Sequence, residues 1–239
     1  MEYFYDFHIH SCLSACADDD MTPYNLVNMA KLAGLDIIAL TDHNSCLNCP
    51  AAIRAGDLAG ICVVPGMELC TQEEVHLICL FPHVEKALSF SQFVSRRLPQ
   101  IENDPAIFGQ QWVFDHSDRL IENSKLFLSG ASSIGLHEAV GHVEALGGVC
   151  YPAHINRPSY SLLSNLGGLD ESMRFKAFEA CPRTDLNELY RAHPYLKKLH
   201  LLRGSDAHRL QDIADAANKI NLQTCSPAGL IDFFNKIVL

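Results

Sequence analysis

The chain has 239 residues, enough for one large domain or two small ones, and its 48% hydrophobic and 19% charged content belongs to a folded protein rather than a disordered one. No apolar stretch reaches the ~18 residues needed to span a bilayer, and the start, Met-Glu-Tyr-Phe-Tyr-Asp, shows no basic segment followed by a hydrophobic one. A cytoplasmic protein without membrane contact is therefore expected. Twenty-eight acidic against 18 basic residues give a net charge of −10, with no Lys/Arg cluster longer than a pair. That balance argues against long nucleic acid as a partner, while bound cations would still allow small anions.

Apolar runs of strand length fall at residues 3–9, 36–40, 61–65, 75–81, 148–152, 175–179 and 199–202. Between them, 23–33, 49–59, 84–98, 133–146, 184–192 and 209–218 carry helical spacing, with Thr22-Pro23 and Cys49-Pro50 as start signals and Gly34, Gly60 and Gly147 as stops. This alternation predicts an α/β fold with a mainly parallel sheet, open or closed into a barrel. Only seven residues separate Glu68 from His76, too few for a parallel crossover, so the fourth run is expected to return antiparallel. The polar segment 99–132, with Trp112 and several Phe, reads as an insertion serving as a lid or a packed cap within a single domain spanning 1–239.

Polar residues gather at the carboxyl ends of these runs: Asp6-Phe7-His8-Ile9-His10, Thr41-Asp42-His43-Asn44, Gly66-Met67-Glu68, Pro152-Ala153-His154 and Ser205-Asp206-Ala207-His208. In α/β folds that rim is where ligands bind. His-x-His on a strand sends both imidazoles to one face, where each offers a lone pair to one cation. Taken singly, each segment has an ordinary reading, such as a helix cap for Thr41 to Asn44 or a surface carboxylate for Glu68. Their recurrence at successive strand ends points to a metal site. Asp6 and Asp42 adjoin candidate ligands and either orient imidazole N–H groups or are solvated at the rim.

Together with Glu74-Val75-His76, these segments resemble, in order, the motifs of the polymerase and histidinol phosphatase (PHP) family of metal-dependent phosphoesterases. The resemblance implies a distorted seven-stranded (β/α) barrel of TIM-like form with three divalent ions, Mn, Fe or Zn, at its carboxyl rim. It implies His8, His10, Glu68 and Asp206 on the first ion, Glu68 bridging to a second held by His76 and His154, and Asp18, His43 and His208 on the third. Asp18 is chosen among three consecutive aspartates because it stands five residues before Pro23. Two ions sharing Glu68 would acidify a bridging water into the nucleophile. Arg157 is similar to the family's phosphate-binding arginine, and its planar fork suits phosphoryl oxygens; the alternative is an arginine paired to a nearby carboxylate. Asp206 or His208 would relay a proton to the leaving group.

The expected activity is hydrolysis of a small phosphomonoester such as a nucleotide, sugar phosphate or amino-alcohol phosphate. The alternatives are a nuclease acting on short oligonucleotides and a non-catalytic metal-stabilised module. Ten cysteines without an export signal read as reduced thiols or metal ligands. Cys12, Cys16, Cys46 and Cys49 follow two neighbouring strand ends and form either an additional Zn or Fe–S site or loop-lining thiols. Cys62, Cys79 and Cys150 lie in apolar runs and read as packing. Nothing in the pattern specifies an oligomeric state.

Overall fold

Side-chain alternation along the central runs decides the layering. Ile37 and Ala39 face one way and Ile38 and Leu40 the other, and all four are fully buried, so the sheet they join must be covered on both faces. The computed structural model describes residues 1–213 and 215–237. Its strands are β1 (Glu2–Ile9), β2 (Ile37–Leu40), β3 (Cys62–Cys70), β4 (His76–Leu80), β5 (Trp112–Phe114), β6 (Leu120–Asn123), β7 (Val149–Pro152), β8 (Ala177–Glu179), β9 (His200–Leu202) and β10 (Lys219–Asn221). Its α-helices are α1 (Pro23–Leu32), α2 (Cys49–Ala59), α3 (Val84–Ser95), α4 (Pro105–Phe108), α5 (Leu136–Ala145), α6 (Leu162–Leu166), α7 (Leu186–Ala192) and α8 (Pro227–Asn235). Among the described residues, no helix is long and apolar enough to cross a membrane.

Six strands form one curled sheet in the order β10-β1-β2-β3-β4-β7. β1, β2 and β3 run parallel, and β4 pairs antiparallel with β3, as the short link from Glu68 to His76 requires. One face, with Ile38, Leu40, Val63, Cys79 and Phe81, packs on α1, α2, α3 and α5. The other, with Tyr5, Phe7, Val64, Ile78 and Tyr151, closes on Leu230, Ile231 and Phe234 of α8.

One sequence expectation is refined and one is corrected. All seven expected runs form strands, and the curled sheet is a half-barrel consistent with the expected TIM-like barrel, but among the described residues the seven runs do not form one continuous ladder. β8 and β9 make a separate parallel pair, joined to the main sheet by single links. The Ile155 amide donates to the Glu179 carbonyl at 2.8 Å, and the His10 amide to Ala207 at 3.0 Å. The polar ends of β8 and β9 bend toward the rim instead of extending a ladder. The helix expected over 209–218 is also absent among the described residues: a 3-10 turn, Leu210–Asp212, stands there, with Ala214 outside the described part. The covering helix α8 was missed by the sequence reading. Its start signal is Ser226-Pro227, where the serine hydroxyl accepts from the Gly229 amide at 3.0 Å.

Segment 99–132 carries α4 and the β5–β6 hairpin and is tied to loops at the rim. The Trp112 amide donates to the Cys12 carbonyl at 3.0 Å, and the Phe114 amide to Asn48 Oδ1 at 3.0 Å. Asn44, buried after β2 and left-handed at φ 52°, donates through Nδ2 to the carbonyls of Leu128 (2.6 Å) and Gly130 (2.9 Å). Its Oδ1 accepts from the Cys70 amide at 2.8 Å. Asn44→Ala strands these groups at about 1–3 kcal/mol for each one that stays buried. The expected result is a lower urea midpoint and faster limited proteolysis within 99–132; an unchanged midpoint and cleavage pattern would contradict this role.

Candidate metal centre

The side chain at the middle of the rim is Glu68, 1% exposed, on β3. Its Oε1 lies 2.8 Å from His76 Nδ1, 3.1 Å from His154 Nε2 and 3.2 Å from His8 Nε2. Its Oε2 lies 3.0 Å from His43 Nδ1 and 3.3 Å from His10 Nε2. Strand alternation on β1 puts His8 and His10 on one face with their Nε2 atoms 3.2 Å apart. Asp206 Oδ1 completes the group at 3.3 Å from each. His208 stacks on His10 with ring centroids 4.2 Å apart.

Three overlapping donor sets result, each with its ligand atoms within 4.8 Å of one another: His8, His10, Glu68 and Asp206; His43, Glu68 and His76; and His10, His43 and His208. Imidazole nitrogens and carboxylate oxygens at this spacing fit divalent Mn, Fe or Zn. Of the expected ligands, His8, His10, His43, Glu68, His76, His154, Asp206 and His208 converge. Asp18 does not: it is half-exposed, and its carboxylate faces Arg209 Nε at 3.6 Å. Arg157 reaches the rim with Nη1 2.9 Å from Asp206 Oδ2.

The charges are mutually dependent. Burial opposes ionisation of Glu68, but His76, His8 and His43 hold its carboxyl well below the usual range. Burial likewise opposes ionisation of Asp206, which His8 and His10 hold low. Against burial, Glu68 pushes His43 up to about 10, and Glu179, Asp206 and Glu68 raise His8. Burial and the neighbouring His208 and His43 push His10 down.

Two residues at the centre, Glu179 and Tyr160, escaped the sequence reading. Glu179, buried at the end of β8, accepts from His8 Nδ1 with both oxygens at 3.1 Å and from the His154 amide at 3.1 Å. It thereby aims His8 Nε2 at the cluster. A Cβ on Gly204 would come within 2.6 Å of both Glu179 Oε2 and His8 Cβ, so only glycine lets the chain pass there. The visible signal was a carboxylate closing an apolar run. Tyr160, 45% exposed, stacks on His76 at 4.9 Å and accepts from the His76 amide through its carbonyl at 3.0 Å. Nothing in its local sequence marks it.

The thiol quartet expected as an extra Zn or Fe–S site is corrected, since no donor set among the described residues contains a cysteine. Cys12 points at the Trp112 carbonyl, and Cys46 and Cys49 at that of Gly66 inside the core.

The expected second-sphere roles of Asp6 and Asp42 also change, for neither touches an imidazole. Asp42 accepts from the Ser11 amide (2.7 Å) and the Ser14 hydroxyl (2.8 Å), and that hydroxyl contacts His10 Nδ1 at 3.1 Å. Asp6 accepts from the amides of His8 (3.2 Å) and Ser205 (3.1 Å), and burial pushes its carboxyl up to about 6.

Two outcomes are expected. Glu179→Gln keeps the shape but removes the charge behind His8, and should weaken metal retention by ~10–100-fold in competition with a chelator; unchanged retention would contradict the orienting role. Because His8 and His43 are raised, they carry protons near neutral pH in the metal-free protein, and a cation must displace them. Apparent metal affinity should therefore rise with pH. Calorimetric titration in buffers of different ionisation enthalpy should show proton release, and zero release would contradict the charge assignment.

Among solved structures, the fold is similar to the lesion-specific endonuclease PfuEndoQ of Pyrococcus furiosus, at 17% identity and a TM-score of 0.71, covering 100% of this chain and 57% of that one. It is similar to endonuclease Q in complex with a 27-mer duplex bearing an abasic lesion at the active site (16%, TM-score 0.70, 100% and 57% covered). It is also similar to a metal-dependent phosphoesterase, so described provisionally, from Bifidobacterium adolescentis (18%, TM-score 0.59, 98% and 94% covered). The chain thus spans 57% of the endonuclease Q chains it matches. No curated protein sequence matches it. The expectation that excess acidic charge rules out long nucleic acid is corrected, because a protein of this fold holds a 27-mer duplex. The PHP domain model matches residues 6–157, well over half of the sequence and including all the converging ligands except Asp206 and His208, and the chain belongs to the PHP domain family.

Proposed function

We propose that this chain hydrolyses phosphoesters with divalent cations held around Glu68, and that its substrate is a phosphodiester of nucleic acid. The carrying observation is the packing of five imidazoles around one buried carboxylate, with Asp206 and the Arg157 guanidinium at its open side. In this reading one cation takes His8, His10, Glu68 and Asp206, a second Glu68, His76 and His154, and a third His43 and His208. When bound, the cations supply an acidified water and offset charge on the phosphoryl oxygens.

The chain's own groups do the rest. Arg157 is half-exposed and engages Asp206 through Nη1, so its fork faces the opening with N–H groups for a phosphoryl oxygen. This unites the two sequence readings of Arg157, since its carboxylate partner is itself a ligand. His208 Nδ1 lies 2.8 Å from the Asp206 carbonyl, which only accepts, so the proton sits on Nδ1 and the lone pair on Nε2. With Asp206 held ionised, the two groups act on the leaving oxygen only by relaying a proton from solvent.

A diester in a polymer is supported by the fold shared with the endonucleases and by Tyr160, an exposed ring beside the ligands on which a base can stack. A small phosphomonoester is the second reading, supported by the likeness to the B. adolescentis phosphoesterase, 94% of whose chain is covered.

The test is metal-free protein reloaded with Mn, Fe or Zn and assayed on duplex and single-stranded oligonucleotides, with and without an abasic site, and on a panel of phosphorylated metabolites. Chelator-sensitive strand cleavage is expected. His10→Ala and Glu68→Gln should each lose more than the ~10–100-fold typical of an outer partner. Undiminished turnover in both variants would reject the catalytic assignment, and release of phosphate from metabolites alone would establish the second reading.

A further inference from the structure

Asn156 and Arg157 are consecutive in the loop that follows β7, yet they engage different neighbours. Arg157 reaches Asp206 at the metal centre, with Nη1 2.9 Å from Oδ2. Asn156 bonds instead to the loop between β8 and α7: its Nδ2 donates to Thr184 Oγ1 at 2.9 Å, and its Oδ1 accepts from the Cys181 amide at 3.1 Å. Beside it is a cleft of about 340 Å³ lined by Asn156, Arg183, Thr184, Glu188, Leu189 and His193, none of them a member of the metal centre. Asn156 and Thr184 lie beyond the carboxyl ends of β7 and β8, so the cleft opens beside the rim that carries the metal centre.

The walls are held by bonds of the chain itself. The Thr184 hydroxyl donates to the Cys181 carbonyl at 2.6 Å, and Arg203 Nη1 donates to the carbonyls of Ala180, at 3.1 Å, and of Cys181. Asp185 Oδ1 accepts from the amides of Asn187 (2.9 Å) and Glu188 (3.2 Å). A cleft fixed in this way is in place before its ligand arrives, which lowers the cost of binding.

The lining decides what fits. The one guanidinium, Arg183, shares the cleft with two carboxylates, Asp185 and Glu188, so a second phosphate would meet an excess of negative charge. A neutral heterocycle meets what it needs: apolar side chains in Leu189 and Ala192, flat groups in Arg183 and His193, and an acceptor for ring or exocyclic N–H groups in Glu188.

We propose that this cleft is a nucleobase pocket, holding the base of a nucleotide whose phosphoryl group lies at Arg157. This rests on the reading of Arg157 and the cations as the phosphoryl site. Tyr160 stacks on His76, at the side of the cluster held by β4, whereas the cleft adjoins the residue that engages Asp206. The two bases flanking one phosphodiester thus have separate places.

The test is calorimetric titration of the Mn-loaded full chain with nucleoside 5′-phosphonates, whose carbon–phosphorus bond resists hydrolysis, and with ribose 5-phosphonate, which lacks the base. The base should tighten binding by ~10-fold or more, as stacking of a base in a protein site does. Arg183→Ala and Glu188→Ala should each lose most of that preference while binding ribose 5-phosphonate as wild type does. Arg191→Ala, on α7 but outside the cleft, should match wild type with both probes. Equal affinity of wild type for the two probes, or a preference that survives in both cleft variants, would overturn the proposal and leave the phosphoryl site standing. A base preference that depends on Arg183 in a chain that cleaves no oligonucleotide would keep the pocket and reject the polymer as substrate. Failure of wild type to bind either phosphonate would overturn the pocket and the phosphoryl site together.

Discussion

One buried carboxylate organises the molecule. Glu68 is almost fully shielded from water, and its two oxygens face five imidazoles brought by β1, β4 and the segments following β2 and β7. An isolated carboxylate at such depth would shift its pKa upward and go neutral. Here the imidazoles hold it ionised, and it in turn holds His43 charged against burial. The strand ends are thus tied electrostatically as well as by hydrogen bonds. The same mutual dependence gives the cluster the donors a cation could use, since a cation could take the place of protons among groups already aimed at one point.

Reaching that point requires sharp turns at the rim. Asn44 (φ 52°), His154 (φ 26°) and Asp206 (φ 53°) are non-glycine residues in the left-handed region, and each follows or is an expected ligand. Such conformations cost of order 1–3 kcal/mol apiece and persist where neighbours over-determine them. The neighbours are identifiable. Asn44 is bonded to three backbone groups, the His154 amide donates to Glu179, and Asp206 is engaged by Arg157. Strain and ligation coincide because a regular strand continuation would send alternate side chains away from the rim.

Strands, the antiparallel return of β4 and the convergence of eight of the nine expected side chains were legible in the sequence, because period-two alternation and strand-end placement are local properties. What was not legible depends on tertiary closure. Glu179 looked like the polar end of an apolar run; only the curl of β8 toward β1 puts it behind His8. The three aspartates Asp18, Asp19 and Asp20 look equivalent in sequence, and the folded course of the loop, not its spacing, turns the Asp18 carboxylate toward Arg209. The stretch 209–218 had helical spacing, yet its first residues fold into a 3-10 turn beside the rim. Net charge misled for a related reason: it averages over the whole surface, whereas binding of a phosphate is decided within a Debye length of ~8–10 Å.

The insertion 99–132 acts on the centre through the loop that follows β1. Trp112 receives Asn48 Nδ2 on its carbonyl at 3.1 Å while its amide holds Cys12. Asn48 Nδ2 also donates to the Ser11 hydroxyl at 2.8 Å, and that hydroxyl donates to Asp42 at 2.6 Å. Asp42 then fixes Ser14 against His10. A continuous chain of hydrogen bonds therefore runs from the hairpin β5–β6 to the His10 imidazole, and Gly109 bears on the same loop at Ala15. Every link is between buried or half-buried groups, where an unpaired partner is costly. A displacement of the hairpin must break at least one link before it can leave His10 in place, so the segment that varies most in appearance from the strand–helix alternation is coupled to the geometry of the imidazole cluster.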